Sequence, residues 1–313
     1  MDLLKEAEKN TPKKQPKKYP YYYKVLSLFS VVRGYNIILI VIAQYLASIF
    51  IFASDKSLKD VLLDVNLYFV VLASTCVIAG GYIINNFYDL KKDLINRPFK
   101  SRLDSLITQK TQLYLYFTLN ALGFLFSFLV SWRAALFFTI YIFLLWLYSH
   151  KLRHYPLVKL FSAVTLSLLP FFVIFVYYKN FSTFIFTHTA FLFFVLLMRE
   201  LVKDLETIQG DIVSGIVTIP ILYGEKFTKI LIGFIIIFTF PPIYFLLKSP
   251  EIGYMRFYFY LVGLMLIPFL VLLFSANKKP NYMALHTILK IVIVIGVFSL
   301  ALLDTSVIIK RII

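Results

Sequence analysis

Charge is scarce in this sequence. Only 15% of its 313 residues are Asp, Glu, Lys or Arg, against roughly 25% in soluble domains. With 60% hydrophobic residues and a mean hydropathy of +0.81, an ordinary soluble globule is excluded. Cysteine is nearly absent: Cys76 is the only one and lies inside an apolar run, which excludes an intrachain disulfide and a cysteine zinc site. His150, His154, His188 and His286 show neither metal-site nor triad spacing, and read as structural or interfacial. Gly-rich phosphate loops and Ser-centred elbows are missing. Acidic residues number 16 against 32 basic ones. The surplus of positive charge crowds beside apolar runs, where membrane topology and anionic lipid head groups account for it, so no nucleic-acid partner is expected.

What the chain does have is apolar length. Stretches centred on 25–52, 66–86, 112–131, 134–149, 157–178, 181–201, 229–247, 256–274 and 287–309 approach the roughly 20 residues that cross a hydrocarbon core of about 30 Å. They predict an all-α integral membrane protein: nine transmembrane helices bundled around a central cavity, multi-pass in the cell (inner) membrane. Residues 1–24 hold seven lysines among prolines without apolar periodicity, and are expected to be a flexible basic tail. Residues 25–313 are then one membrane domain.

Lys and Arg concentrate in the tail and in 91–110, 151–159, 199–229 and 278–290. The positive-inside bias therefore predicts a cytoplasmic N-terminus and an external C-terminus. That topology brings the polar connections 87–111 and 202–228, and the short basic loop after the fourth span, to one cytoplasmic face.

Those connections carry the chemistry. In the first, Asn85, Asp89 and Asp93 recur every four residues with Asn86 beside them, so on a helix one amide and two carboxylates share a face. In the second, Glu200, Asp204 and Asp211 are spaced by four and seven residues, among Arg199, Lys203 and Glu206. A single charged cluster at a helix end is ordinarily a solvated cap. Two on one side, with carboxylates near hydrocarbon, are costly unless cations compensate them. Oxygen ligands in this pattern suit Mg2+, which binds phosphates through one or two carboxylates and retains waters. An allylic diphosphate gives both clusters a purpose, and 33 Phe and 22 Tyr offer an aromatic lining for the prenyl cation left behind.

Two further segments fit a diphosphate. Arg33 and Asn36 interrupt the first span, where snorkelling to the interface is the simpler alternative for the arginine. Tyr148, Lys151 and Arg153 end the fourth span, where positive-inside anchoring alone would explain the charges.

Taken together, the sequence resembles the UbiA superfamily of intramembrane prenyltransferases from about Arg33 onward. Asn85-Asn86-Phe87-Tyr88-Asp89-Leu90-Lys91-Lys92-Asp93, followed by Asn96-Arg97-Pro98, resembles the first signature. Arg199-Glu200-Leu201-Val202-Lys203-Asp204, continuing to Gly210-Asp211, resembles the second. The resemblance implies a nine-helix bundle whose two Asp motifs hold Mg2+ and a polyprenyl diphosphate. It assigns Asn85, Asp89, Asp93, Asp204 and Asp211 to the metal, with the four aspartates catalytic. Diphosphate contacts would come from Arg33, Asn36, Asn85, Asn86, Arg97, Tyr148, Lys151, Arg153 and Lys203. The chain departs from the pattern at Asn86 and Thr207, where the family has Asp, and at Phe99-Lys100-Ser101-Arg102 after Pro98. The branch that attaches geranylgeranyl to geranylgeranylglycerol phosphate resembles it most. Prenylation of an aromatic quinone precursor comes second, and a non-catalytic lipid-binding or transport protein is the rival from another class. The acceptor is thus a lipid or an aromatic compound, and the surroundings are membrane lipids.

Overall fold

The computed structural model describes residues 20–53 and 56–303. Residues 1–19 of the expected tail and the C-terminal end of the expected ninth span lie outside the described residues. Among the described residues all regular structure is helical, and nine helices are long and apolar enough to span a membrane.

The expected first span, 25–52, is two helices. α1 (Tyr21–Val31) ends before α2 (Gly34–Ala47), with Arg33 between them in the left-handed region at φ 51°, ψ 52°. Such a conformation costs a non-glycine residue roughly 1–2 kcal/mol. The break keeps Arg33 from being carried along an apolar helix, and its guanidinium sits 5.0 Å from the centre of the Tyr82 ring. α2 continues through a π-helical turn, and Ser57 caps the short α3 (Leu58–Leu62) by accepting from Asp60 N–H.

α4 (Val65–Tyr88) is the second span. Asp64 caps it by accepting from the N–H groups of Asn66 and Leu67. Two short helices, α5 (Leu90–Asn96) and α6 (Pro98–Asp104), follow where a polar loop was expected. α7 (Gln109–Val130) and α8 (Trp132–His150) form the expected tight hairpin, with Ser131 accepting from Ala134 N–H to start α8. α7 lies close against α4 because Gly123 leaves room: a Cβ there would meet Val77 at 2.7 Å. Small residues at such crossings are the usual means of close helix approach in lipid.

α9 (Pro156–Tyr178) and α10 (Thr183–Glu206) are the fifth and sixth spans, and α11 (Ile208–Val213) follows α10 after one break at Thr207. Gln44 Nε2 donates to Ser74 Oγ and to the carbonyl of Pro170, tying the first, second and fifth spans with polar bonds inside hydrocarbon. α12 (Ile219–Lys248), α13 (Arg256–Ser275) and α14 (Lys279–Ser299) complete the bundle.

Three boundaries differ from expectation. α10 runs to Glu206 rather than residue 201, α12 begins ten residues early with a non-helical break at Gly224 (φ 86°, ψ 162°), and the ninth span begins at Lys279 rather than 287. Pro220 and Pro280 each occupy a first-turn position, where proline's fixed φ favours initiation. The second and sixth spans are the most enclosed, 72% and 56% buried. These two central helices are the ones that end in the acidic segments.

Candidate active site

The two acidic segments, 118 positions apart between Asp93 and Asp211, meet at one end of the bundle. Lys92 on α5 forms an ion pair with Asp211 on α11 at 2.5 Å, with both side chains buried. Asn96 donates to the carbonyl of Thr207 at 3.3 Å. The helices approach so closely that a Cβ on Gly210 would lie 2.1 Å from Asn96 Nδ2 and 3.0 Å from the Lys92 carbonyl.

Between the segments lies a pocket of about 520 Å³, partly open to solvent. Of the residues expected to act, Arg33, Asn85, Asp89, Asp93, Arg97, Tyr148, Arg153 and Lys203 line it. Lys92, Lys159, Thr207 and Ile216 line it too. Lys159 went unnoticed in the sequence because it sits alone in the first turn of an apolar span, yet that isolation was a usable signal: a buried ammonium requires an anion.

One wall is acidic. α4 ends at Asn85 and the cap residue Asp89, and α5 then turns so that Asp93 faces the same space. Arg153 fixes Asp89 by donating from Nη1 at 2.7 Å, and also donates to the Tyr88 carbonyl at 3.2 Å. Asp93 has no ion-pair or hydrogen-bond partner for its carboxylate among the described residues. Burial raises its pKa, and the neighbouring Asp89 charge raises it further, while Lys100, Arg97 and Arg33 act in the opposite direction. Burial opposes the charged form of Lys92, but the carboxylates of Asp211, Asp89 and Asp204 outweigh it and the pKa is raised. Lys92 is therefore held as a cation at the pocket floor.

The second segment is built differently. Asp204 is buried and accepts from Lys159 Nζ at 2.6 Å. Asp211 is fully enclosed, between Lys92 and the Thr207 hydroxyl that donates to it at 2.7 Å. Glu200 accepts from Arg199 at 2.7 Å and from Lys203 at 2.6 Å. Glu206 turns to His286 at 2.5 Å, with Arg97 at 3.9 Å. It does not take the pocket-facing place of the family's Asp, which Thr207 fills instead.

Five expected residues do not line the pocket. Asp204 and Asp211 contact it only through Lys159 and Lys92. Asn36 donates to the Tyr82 hydroxyl at 3.4 Å. Asn86 is buried between Gln112 and Lys100, both at 3.4 Å, so its departure from the family's Asp belongs to packing behind the site. Lys151 is exposed.

Asn85, Asp89 and Asp93 offer oxygen ligands to the pocket, where Arg153 pairs with Asp89 and the Asp93 carboxylate has no direct partner among the described residues. A hard divalent cation with several waters fits this donor set. Arg33, Arg97, Arg153, Lys159 and Lys203 line the same pocket, a set of cations suited to an anion with several oxygens.

Several known proteins are similar to this chain. The model of the UbiA prenyltransferase family matches residues 37–303. The digeranylgeranylglyceryl phosphate synthase of Methanobrevibacter smithii is 36% identical over 213 residues, 64% of this chain and 70% of that protein. The synthase of the same name from Sulfurisphaera tokodaii is 26% identical over 279 residues, covering 84% and 95%. Among solved structures, a UbiA homologue from Archaeoglobus fulgidus bound to GPP and Mg2+ superposes with a TM-score of 0.64 at 12% identity, over 88% of this chain and 99% of that one. A structure described for digeranylgeranylglyceryl phosphate synthase in membranes gives 0.63 at 20% identity, over 88% and 97%. At these identities the structural likeness speaks for the fold.

Proposed function

Because this chain belongs to the UbiA prenyltransferase family, we propose that it transfers a geranylgeranyl group from its diphosphate to geranylgeranylglyceryl phosphate, with Mg2+ as cofactor. The reaction takes place in the cell membrane, with the pocket on the cytoplasmic side. The observation that carries this reading is a pocket lined by an amide, two carboxylates and several cations, in a chain whose relatives bear the name of that synthase.

Asn85, Asp89 and Asp93 would hold the metal. When bound, Mg2+ supplies positive charge to the phosphate oxygens as the donor's C1–O bond breaks. The bonding pair leaves with the diphosphate, which Arg33, Arg97, Lys159 and Lys203 receive with Lys92. The hydroxyl oxygen of the acceptor bonds to C1 and passes its proton to the departing diphosphate. Arg153 positions Asp89, while Asp204 and Asp211 act through the lysines they hold. Tyr148, which lines the pocket, helps to exclude the water that would otherwise capture the allylic cation.

The test is purified protein in detergent with geranylgeranyl diphosphate, Mg2+ and a panel of acceptors, read by mass spectrometry. The expected product is the diether phosphate, with diphosphate released in equal amount. A prenylated phenolic acid in its place would move the assignment to quinone-precursor synthesis. No diphosphate release with any acceptor would end the enzymatic reading.

A further inference from the structure

Lys290 lies about halfway along the ninth span, eleven residues or roughly 16 Å from its start. Among the described residues its ammonium makes no hydrogen bond and no ion pair. An unpaired lysine at that depth is costly, and such residues ordinarily mark a substrate path.

Snorkelling along the span does not account for its surroundings. Lys290 is one helical turn beyond His286, whose ring nitrogen pairs with Glu206 at 2.5 Å. It stands within electrostatic reach of Arg97, Glu206, Arg199 and Arg33, so it has been brought toward three like charges. Glu206 cannot balance them, because it is already shared by His286 and Arg97. Arg199 spends one terminal nitrogen on Glu200, which also accepts from Lys203, and its buried Nε has no partner. Cations outnumber carboxylates here. Arg33 and Arg97 also line the pocket, so this basic cluster continues the pocket toward the ninth span.

We infer that Lys290 and Arg199 form a second anion site that binds the phosphate of the acceptor lipid, next to the Arg97 end of the donor diphosphate site. The inference rests on the acceptor proposed above. In that acceptor the reacting hydroxyl is on the carbon next to the one bearing the phosphate, so two phosphate-bearing groups must lie within a few ångströms at the moment of transfer. They repel unless each has its own cations. The Lys290 side chain is exposed, so an incoming anion meets its ammonium without rearrangement of the helix. Once seated, the phosphate holds the hydroxyl toward the donor carbon, and the site discriminates against neutral glycerol lipids.

The test pairs the full-length Lys290→Gln and Lys290→Arg proteins with two acceptors, geranylgeranylglyceryl phosphate and geranylgeranylglycerol. For the phosphorylated acceptor, Lys290→Gln is expected to lower kcat/KM on the order of 10- to 100-fold, chiefly through KM. Lys290→Arg should recover most of that, and the KM for geranylgeranyl diphosphate should not change. With the phosphate-free acceptor the two variants and the wild type should be equal. A penalty shared by both acceptors, or one expressed in the donor KM, would overturn the assignment and give Lys290 to the diphosphate. Thermal stabilisation of the protein by each acceptor without donor provides the second reading. If the phosphorylated lipid stabilises the wild type more than Lys290→Gln but no ether product ever forms, the reaction proposed above fails and the anion site stands. Equal stabilisation of both proteins would remove the site itself.

Discussion

The segments 85–97 and 199–211 look alike in sequence, and they do different work in the structure. In the first, the helix ends at Asp89 and the chain turns, so that Asp89 and Asp93 open onto the pocket. In the second, α10 continues as a buried central helix to Glu206, and the carboxylates of the segment are drawn inward and each met by a partner: Glu200 by Arg199 and Lys203, Asp204 by Lys159, Glu206 by His286 and Asp211 by Lys92. One segment presents oxygen donors, and the other holds cations at the site. The difference follows from depth. A carboxylate at the mouth can remain without a partner, whereas one inside the bundle must be paired.

The largest expected effect separates the two by stability. Asp204→Ala leaves Lys159 buried without its partner and should cost about 3–5 kcal/mol, lowering the thermal midpoint in detergent and abolishing turnover. Replacing Lys159 and Asp204 together by methionine should restore the midpoint but not the activity. Asp93→Asn, by contrast, should lose on the order of 10²–10³ in kcat with the midpoint unchanged. Equal thermal behaviour of Asp204→Ala and Asp93→Asn would erase the distinction.

Gly210→Ala comes next. Its Cβ would collide with Asn96 and crowd the Lys92 backbone, forcing α5 and α11 apart at a cost of about 1–3 kcal/mol. A drop in both midpoint and kcat/KM is expected, and a neutral result would mean that the contact between the segments is unimportant. A smaller effect concerns pH. Asp93 has its pKa raised above the ordinary 3.8 by burial and then by Asp89, so as pH falls it takes up a proton before an ordinary carboxylate would. Metal binding needs the ionised form, so Mg2+-dependent stabilisation should fade from a pH above 3.8. Removing the Asp89 charge in Asp89→Asn should lower the pKa of Asp93, read by NMR of its carboxyl carbon without metal; a pKa that stayed or rose would contradict the crowding of the two carboxylates. The smallest effect is Thr207→Val, which deletes the hydroxyl that donates to Asp211 and should cost about 1 kcal/mol, visible as a slightly lower midpoint.

Spans and motifs were legible because both are local. Apolar runs of membrane length announce their helices, and Asp89 and Asp93 announce a shared face by their spacing. What escaped was the pairing. Nothing near Lys159 in the sequence names Asp204 as its partner, and nothing distinguishes Lys92 from its neighbour Lys91 until α11 brings Asp211 to it. The break at Arg33 was hidden as well, since its φ of 51° is a conformation that arginine rarely adopts unaided. The early start of α12 was foreshadowed by Pro220, but the polar residues after it argued for a loop. Asn86 and Thr207, which in sequence are departures of one kind, part company in three dimensions: Asn86 is packed behind the site and Thr207 lines it.

The account depends most on the first segment holding a metal-bound diphosphate while the second only positions cations. Thermal stabilisation by geranylgeranyl diphosphate, with and without Mg2+, tests this in the wild type, Asp93→Asn and the methionine pair at 159 and 204. The account predicts Mg2+-dependent stabilisation of the wild type, loss of the Mg2+ dependence in Asp93→Asn, and a surviving though weakened dependence in the methionine pair. Full Mg2+ dependence in Asp93→Asn, with none in the methionine pair, would place the metal on the second segment and contradict it.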